Sequence, residues 1–393
     1  MSEELPLSGV RVLDLSRVLA GPWATQLLAD YGAEVVKVER PGSGDDTRGW
    51  GPPFDEQGTA SYFHAANRNK RSVAIDIGTE AGRGLIRRLA ARSHVVVENF
   101  KAGGLARYGL DYASLSAPNP GLVYCSITGF GQTGAAAARP GYDYLVQAAG
   151  GLMSITGEPD GPPLKVGVAV ADLFTGLYAV SGILAALRQA EATGQGRHID
   201  VALHDCQLAM LANQASAALT TGEAPHRLGN QHPSIVPYQT FDASNGPIVL
   251  AVGNDAQFAA FAEAAGEGGL AHDDRFRTNR ARVENRDALA SLLGPVMARR
   301  TAEDWQARLE AVGVPCGPIR DVAAALASKE ARDRGMLLTH EGGRRTVASP
   351  VDLGGRADAA PPPALGQHTD EVLAELGLDE SGIARLREGG AIA

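Results

Sequence analysis

Residues 11–40 read RVLDLSRVLAGPWATQLLADYGAEVVKVER, and this stretch decides the fold. The branched apolar residues of 10–16 predict a strand, and the apolar spacing of 21–32 predicts a helix that ends at Gly32. Residues 33–40 predict a second strand. A strand, a helix and a strand in this order form a unit whose strands lie parallel and are joined by a right-handed crossover.

The alternation of strands and helices continues further along the chain. SVAIDI at 72–77, HVVVENF at 94–100 and GLVYCSITGF at 121–130 predict strands, and 79–93 predicts a helix with Thr79 as its N-cap. This alternation is typical of an α/β protein with a doubly wound, Rossmann-like parallel sheet.

The length of the chain predicts two domains, because 393 residues exceed what one core usually organises. Residues 223–238 are rich in Pro, His, Asn and Gly, and they predict a linker that follows a helix over 206–222. We expect a large Rossmann-like domain over 1–222, completed by a returning helix within 326–393, and a smaller α/β domain over 223–325.

The composition limits the classes of partner. The formal net charge of −9 argues against nucleic acid and anionic membranes as partners. Cys125, Cys206 and Cys316 lie far apart and match no metal-ligand spacing, so we expect a reducing compartment and no metal site. No signal peptide and no run of about 18 apolar residues is evident. We therefore expect a cytoplasmic protein.

Common nucleotide-binding and catalytic motifs are missing from the sequence. The loop LSRVLAGPWA after the first strand lacks the G-x-G-x-x-G fingerprint of dinucleotide-binding enzymes. Glu39 ends the second strand, where such enzymes place a ribose-binding acid, but this single match is weak support for a dehydrogenase. No P-loop, nucleophile elbow or H-E-x-x-H motif occurs.

Basic residues gather near strand ends and in loops. Ligands of open α/β sheets bind beyond the carboxyl ends of the strands, and Arg40 and Arg107 closely follow two predicted strands. Any one of these residues is most simply explained as a solvated surface charge. For the set as a whole, a nucleotide-phosphate site and solvated surface charges explain the pattern equally well. The set comprises Arg17, Lys37, Arg40, Arg48, Arg68, Lys70, Arg71, Arg107 and Arg139.

Asp172 is the single charged residue of VGVAVADLFTGLYAV, residues 166–180. It precedes a predicted helix and could cap that helix by accepting backbone N–H bonds. The helix dipole would keep the carboxylate ionised, and an ionised, partly desolvated carboxylate can attack an activated acyl group. The small neighbours Ala171 and Gly176 would leave room for a substrate. The capping and nucleophilic roles are compatible.

Four stretches resemble the class III CoA-transferases, a group that includes the α-methylacyl-CoA racemases. They are residues 11–50, NRNKRSVAIDI with VENF, CSITGFGQTG, and VADLFTG around Asp172. The resemblance implies that CoA moves from an acyl-CoA to a free carboxylic acid, with Asp172 as the nucleophile. It implies aspartyl anhydride and aspartyl-CoA thioester intermediates, CoA thioesters as substrates and no tightly bound cofactor.

The resemblance also implies which residues bind CoA. Arg40 and Arg107 match phosphate-binding positions, and the apolar positions suit the adenine and the pantetheine arm. Gly78 replaces a lysine of the family, so we expect that contact to be lost. The implied CoA-binding residues are Val18, Leu19, Arg40, Ile75, Asn99, Phe100, Arg107 and Arg139.

The racemase branch of the family has a histidine where this chain has Tyr142. Tyrosine, with a reference pKa of about 10, is a poor base at neutral pH, which favours a transferase. Tyr142 can instead line a substrate pocket. The alternatives are an α-methylacyl-CoA racemase, a formyl-CoA:oxalate-type transferase and an inactive CoA-binding protein, and the presence of Asp172 in its motif disfavours the last.

The segments GDDTRGWGPPF, GNQHPSIVPYQTF and VGNDAQF resemble the branch that transfers CoA from succinyl-CoA to glutarate or hydroxymethylglutarate. The second carboxylate of a dicarboxylate needs a cation or several N–H donors. Gln231, His232 and Ser234 are the candidates for this contact. For His232, a structural role in holding the backbone of its loop is an equally good explanation. The family further implies an interlocked homodimer.

Overall fold

The computed structural model describes residues 4–353 and 359–393. Part of the predicted completing segment, residues 354–358, therefore lies outside the described residues. The chain divides into two compact units, of which the first spans 1–152, 165–221 and 330–393 and the second spans 153–164 and 222–329.

The strands in the described part of the chain form three sheets. In chain order they are β1 (Arg11–Asp14), β2 (Glu34–Glu39), β3 (Lys70–Ala74), β4 (Val95–Glu98), β5 (Val123–Thr128), β6 (His198–Ala202), β7 (Tyr238–Ala243), β8 (Gly246–Ala251), β9 (Cys316–Pro318), β10 (Leu337–Thr339) and β11 (Arg345–Val347). The first six form a parallel sheet in the order β3-β2-β1-β4-β5-β6, which confirms the predicted Rossmann-like α/β sheet.

Helices cover both faces of this parallel sheet. In chain order the helices are α1 (Ala20–Asp30), α2 (Ser61–His64), α3 (Glu80–Ala91), α4 (Tyr112–Ser116), α5 (Asp143–Ala149), α6 (Val170–Thr193), α7 (Leu203–Met210), α8 (Ala212–Thr221), α9 (Asp255–Ala264), α10 (Asn279–Glu284), α11 (Arg286–Met297), α12 (Ala302–Glu310), α13 (Val322–Leu326), α14 (Lys329–Asp333), α15 (Thr369–Glu375) and α16 (Glu380–Glu388). Helices α1 and α6 pack on one face, and α3 and the returning helix α15 pack on the other.

The central strands are apolar on both sides because both sides are covered. Every residue of β4 and β5 is buried. Val95, Val97 and Cys125 belong to the core that includes α1 and α6, whereas Val96 and Tyr124 belong to the core that includes α3 and α15. Such two-sided burial explains why these strands read as nearly continuous apolar runs.

Helix α6 packs closely on α1 through Gly176. A Cβ atom at this position would lie 2.9 Å from the carbonyl oxygen of Ala20. Gly176 therefore permits helix contact and does not leave room for a substrate, which corrects the sequence prediction.

By length and composition α6 could also cross a membrane, contrary to the expectation that no segment could. Within the first unit, 44% of its most apolar window is buried, and the core helix of a soluble protein passes the same test.

Two details of chain organisation differ from the predictions. The helix expected over 206–222 is divided into α7 and α8, because Ala212 adopts a φ of 44°, outside the helical region. Residues 153–164 cluster with the second unit. In that unit Arg227 donates to the Gly161 carbonyl at 2.9 Å, and the Gly229 amide donates to Gly157 at 3.0 Å.

The second unit contains a three-stranded antiparallel sheet in the order β7-β8-β9. Its core joins Phe241 and Ile248 of the sheet to Phe258 of α9 and Trp305 of α12. The Trp305 indole N–H donates to the Met297 carbonyl at 2.8 Å, so the polar atom of this buried ring has a partner.

Buried ion pairs lie at the carboxyl ends of the first strands in the parallel sheet. Lys37 Nζ lies 2.9 Å from Asp45 Oδ2, and neither side chain has any solvent exposure. Lys37 also donates to the Ser16 carbonyl at 2.9 Å. Arg48 donates twice to Glu39, at 2.7 Å each. These contacts fasten the loop after β1 and the loop after β2 to the sheet.

The Lys37→Met variant tests the importance of the buried pair. We expect its free energy of unfolding to fall by about 3–5 kcal/mol, because the Asp45 carboxylate remains buried without its cation. Chemical denaturation would measure this change. The control is Arg280→Met, which removes a cation from an exposed pair with Glu284 and should cost at most about 0.5 kcal/mol. Equal losses in both variants would contradict the argument.

Candidate active site

Two cavities lie at the carboxyl edge of the parallel sheet, where ligands of doubly wound folds bind. The first, here called the β2–β3 cavity, has a volume of about 270 Å³. Arg40 and Arg107 line it together with Ile75, Gly78 and Phe100. Among residues 4–353 and 359–393, neither arginine side chain forms an ion pair.

The second cavity contains Asp172 and is here called the Asp172 cavity. Its volume is about 240 Å³. Residues that follow β1, β4 and β5 contribute to its wall, so it lies at the point where the strand order reverses between β1 and β4. Its lining includes Arg17, Val18, Leu19, Ala20, Asn99, Phe100, Lys101, Thr128, Gly129, Arg139, Tyr142 and Asp172.

Arg17, Asp46 and Phe100 line both cavities. Arg17 Nη1 lies 3.3 Å from Asp46 Oδ2, and its guanidinium lies 5.5 Å from the centre of the Phe100 ring. The Asn99 side chain holds the backbone of Arg17, accepting its N–H at 2.9 Å and donating to its carbonyl at 2.6 Å. One extended ligand could therefore reach from one cavity into the other past these side chains.

Val18 adopts a strained backbone conformation at the wall of the Asp172 cavity. Its φ is 70°, which is unfavourable for a β-branched residue. Both carboxylate oxygens of Asp45 accept its N–H at 3.2 Å. Such strain persists only where the surroundings enforce it, and it is concentrated at functional sites.

Asp172 is the third residue of α6 and does not cap it. The N-cap is Ala169, which has no capping side chain. Asp143, the first residue of α5, performs this role instead, because its Oδ1 accepts the Ala171 N–H at 2.8 Å. The capping prediction for Asp172 was wrong because a side chain 29 residues earlier in the sequence satisfies the helix end.

Burial, followed by the negative charge of Asp143, raises the pKa of Asp172 to about 7. The sequence analysis expected the helix dipole to keep this carboxylate ionised, whereas desolvation and a like charge act in the opposite direction. A carboxyl with this pKa is present in both protonation states at neutral pH. Such perturbed groups in clefts are typical of catalytic residues.

A side-chain network holds the segment before Asp172. Asp143 Oδ2 accepts from Gln147 Nε2 at 2.7 Å, and Gln147 Oε1 accepts the Val166 N–H at 2.9 Å. Together with the Asp143–Ala171 bond, these contacts position both ends of the loop that leads into α6.

The structure brings all eight residues predicted to bind CoA to the two cavities. Val18, Leu19, Asn99 and Arg139 line the Asp172 cavity, and Arg40, Ile75 and Arg107 line the β2–β3 cavity, with Phe100 in both. Tyr142 lines the Asp172 cavity and is 66% exposed, so its side chain has room to meet a substrate. Their roles in binding stay predictions.

Gln231, His232 and Ser234 belong to the second unit, where they have local partners. Gln231 Oε1 accepts from Arg286 at 3.1 Å, and His232 Nδ1 accepts the Ser234 N–H at 3.0 Å. The His232 ring also packs against Tyr238. These contacts support the interpretation of His232 as a residue that holds loop backbone.

Tyr62 and Glu98 were missed by the sequence analysis. Burial, and then the charges of Asp172 and Asp143, raise the pKa of Tyr62, so its hydroxyl lies within electrostatic reach of both carboxyls. Burial raises the pKa of Glu98 to about 7, while its Oε2 accepts the Phe100 N–H at 2.7 Å. No local pattern marks either residue, because both depend on burial and on distant charges.

No metal-binding group of three or more His, Cys, Asp or Glu side chains is found in the part of the chain that the structure describes.

Comparison with known proteins places this site in a family. The model of CoA-transferase family III matches residues 7–369, and the chain belongs to this family of transferases. The succinate–glutarate CoA-transferase of Agrobacterium fabrum is 49% identical over 94% of this chain and 96% of its own length. The succinyl-CoA:glutarate CoA-transferase of Homo sapiens is 42% identical over 100% of this chain and 91% of its own.

Similarity to a solved structure extends over nearly the whole chain. The crystal structure of a CAIB/BAIF family protein from Brucella suis superposes with a TM-score of 0.85 at 50% identity. The match covers 95% of this chain and 100% of that protein. The predicted relationship to the class III CoA-transferases is therefore confirmed.

The Asp143→Asn variant tests the influence of Asp143 on Asp172. Removal of the like charge should lower the pKa of Asp172, so the midpoint of the acid limb of the pH–rate profile should fall from near 7 by about one unit. If Asp172 is the nucleophile that the family motif implies, only its carboxylate form reacts, and that form would persist to lower pH.

The control for this test is Glu80→Gln, which changes a carboxyl at the start of α3, a helix on the opposite face of the sheet. Its profile should match that of the unmodified protein. An unchanged midpoint in Asp143→Asn would show that the charge of Asp143 does not act on Asp172.

Proposed function

We propose that this chain transfers CoA from succinyl-CoA to glutarate, with Asp172 as the covalent nucleophile. The observation that carries the proposal is the position of Asp172, a carboxyl with a pKa near 7 in a cavity at the switch point of the sheet. The names of the relatives, which are 42–49% identical over at least 94% of this chain, support the choice of substrates.

The two cavities suit the two ends of CoA. Arg40 and Arg107 in the β2–β3 cavity would bind its phosphates, and Ile75 would contact the adenine. The pantetheine arm would pass Phe100, which lines both cavities, and bring the thioester to Asp172. This placement requires no metal ion and no resident cofactor for the chemistry that follows.

The proposed reaction begins with attack of an Asp172 carboxylate oxygen on the thioester carbonyl carbon of succinyl-CoA. The carbon–sulfur bond breaks, so that the CoA thiolate departs and a succinyl–aspartyl anhydride forms on the enzyme. The thiolate then attacks the aspartyl carbonyl carbon, which releases succinate and forms an Asp172–CoA thioester. Glutarate reverses the two steps, so that glutaryl-CoA departs and the Asp172 carboxylate is restored.

The surroundings of Asp172 support this chemistry. Its raised pKa makes the carboxylate more basic than an ordinary aspartate and therefore more nucleophilic. Ala20 lines the cavity at the start of α1, where Leu19 provides no side-chain cap. Pro22 has no N–H and the Trp23 N–H donates to the Leu19 carbonyl, so the N–H groups of Ala20 and Gly21 are the ones that would stabilise an oxyanion.

We also propose that the protein is the interlocked homodimer implied by its family. The exposed apolar side chains of α6, α7 and α8 support a buried interface on the first unit, because isolated monomers rarely expose such a series of large residues. They include Leu177, Tyr178, Leu184, Leu208 and Leu219. Light scattering at micromolar concentration should give twice the mass of one chain, and the mass of a single chain would contradict this proposal.

A product assay by mass spectrometry tests the reaction. Purified protein with succinyl-CoA and glutarate should form glutaryl-CoA, and Asp172→Ala should lower the rate by about 10³-fold or more because the nucleophile is lost. Without an acceptor acid, the peptide that contains Asp172 should gain the mass of CoA less one water. The control Asp274→Ala removes an exposed carboxylate of the second unit and should keep the rate.

Two results would contradict the proposal. The absence of any new acyl-CoA with glutarate, hydroxymethylglutarate, malate, itaconate, citramalate, formate or oxalate would reject the transferase reaction with succinyl-CoA. Exchange of the α-proton of an α-methylacyl-CoA in deuterated water would then support the racemase alternative. Retention of full activity in Asp172→Ala would reject the assigned nucleophile.

A further inference from the structure

We propose that Arg139 binds the second carboxylate of the dicarboxylate substrate and thereby selects diacids over monocarboxylic acids. This inference rests on the proposed transfer between succinyl-CoA and glutarate. In that reaction the reacting carboxyl group lies at Asp172, and the other end of the same molecule carries a full negative charge that needs a partner. The inference changes the role of Arg139 from the CoA contact that the family implies.

The Asp172 cavity contains three cationic side chains, Arg17, Lys101 and Arg139. Arg17 already forms an ion pair with Asp46. Lys101 and Arg139 have no carboxylate within ion-pair distance among residues 4–353 and 359–393, so either charge is available to a ligand.

The exposed Arg139 side chain lies against an aromatic ring. Its guanidinium lies 4.7 Å from the centre of the Phe130 ring, and Phe130 packs against His204 at 5.5 Å. No residue among 4–353 and 359–393 accepts a hydrogen bond from the N–H edge of the guanidinium. That edge offers two parallel donors to a carboxylate, whereas a lysine offers a strongly hydrated point charge on a flexible stem.

The backbone near Arg139 is coupled to the helix that carries Asp172. Gly129 and Gly141 are in direct contact, because a Cβ atom on Gly141 would lie 2.3 Å from the Gly129 Cα. This contact closes the loop that presents Arg139. Two residues after Gly141, Asp143 accepts the Ala171 N–H. The loop therefore holds the backbone of Arg139 at a defined place relative to the helix that carries Asp172.

Arg139 is also separate enough from Asp172 to serve the opposite end of a substrate. The pKa of Asp172 is raised by burial and by Asp143, and no cation of the cavity counteracts this shift. A guanidinium in direct contact with the nucleophile would lower its pKa. Arg139 thus lines the same cavity of about 240 Å³ without neutralising the reacting carboxylate.

Lys101 is the weaker candidate because of its position. It follows Phe100, which lines both cavities and lies on the route proposed for the pantetheine arm. The Lys101 carbonyl accepts the Gly104 N–H in a tight turn, but no hydrogen bond or ion pair from the rest of the described chain orients its ammonium group. Its place beside Phe100 in the chain therefore favours a contact with CoA over a contact with the acid.

The test compares glutarate with pentanoate, an acid of equal chain length that lacks the second carboxylate. In an exchange reaction that proceeds through a covalent CoA–enzyme, kcat/KM for the acceptor reports only the second half-reaction. Arg139→Gln should lower kcat/KM for glutarate by about 30- to 100-fold and change the value for pentanoate by less than about twofold. Arg139→Lys should restore part of the preference for glutarate, because it restores the charge without the two-donor geometry.

Binding of free CoA, measured by calorimetry, separates this role from a CoA contact. Arg139→Gln should bind CoA as tightly as the unmodified protein. A rise in the dissociation constant for CoA with equal losses for both acids would overturn the proposal in favour of a CoA-binding role. A selective loss for glutarate in Lys101→Gln, with no such loss in Arg139→Gln, would overturn it in favour of Lys101.

The unmodified protein distinguishes failure of this inference from failure of the proposed function. If it forms no glutaryl-CoA from succinyl-CoA, the proposed function fails before Arg139 is tested. If it forms glutaryl-CoA and Arg139→Gln keeps the same preference for glutarate over pentanoate, the transferase function stands and the assignment of Arg139 is rejected.

Discussion

The fully buried ion pair between Lys37 and Asp45 is the interaction on which the active-site loops depend. Removing two charges from water is costly, and the cost is offset here because each partner has further hydrogen bonds. Lys37 also binds the Ser16 carbonyl, and Asp45 binds the Val18 amide. One pair in the core therefore joins β2 to the loop after β1, imposes the strained conformation of Val18, and shapes the walls of both cavities.

A second electrostatic feature sets the chemistry, and it has the opposite character. Asp143 and Asp172 are two carboxyls near one helix end, and their repulsion adds to the desolvation of Asp172. The repulsion is tolerated because Asp143 has its own partners, the Ala171 amide and Gln147. The fold thus uses one acid to cap α6 and leaves the other poorly stabilised as an anion. A carboxylate that is costly to hold ionised is a reactive nucleophile.

The two features meet at the switch point of the parallel sheet, where the loops after β1 and β4 diverge and leave space for a ligand. Arg17 and Phe100 come from these two loops and line both cavities. A long, two-ended substrate such as an acyl-CoA fits this arrangement, because the charged nucleotide and the reacting thioester need different surroundings. Arginines line the β2–β3 cavity and would suit the nucleotide, whereas Asp172 lies largely out of water in the other cavity and would suit the thioester.

The sequence by itself determined the parallel α/β sheet, the returning C-terminal helix and the family motif around Asp172, because these follow from local periodicity and from contiguous residues. Only the tertiary structure decided that Asp143 caps α6, that the pKa of Asp172 lies near 7, and that Tyr62 lies within reach of both acids. It also placed residues 153–164 with the second unit and made Gly176 a helix contact. Burial and the proximity of charges distant along the chain govern these properties, and neither leaves a local pattern in the sequence.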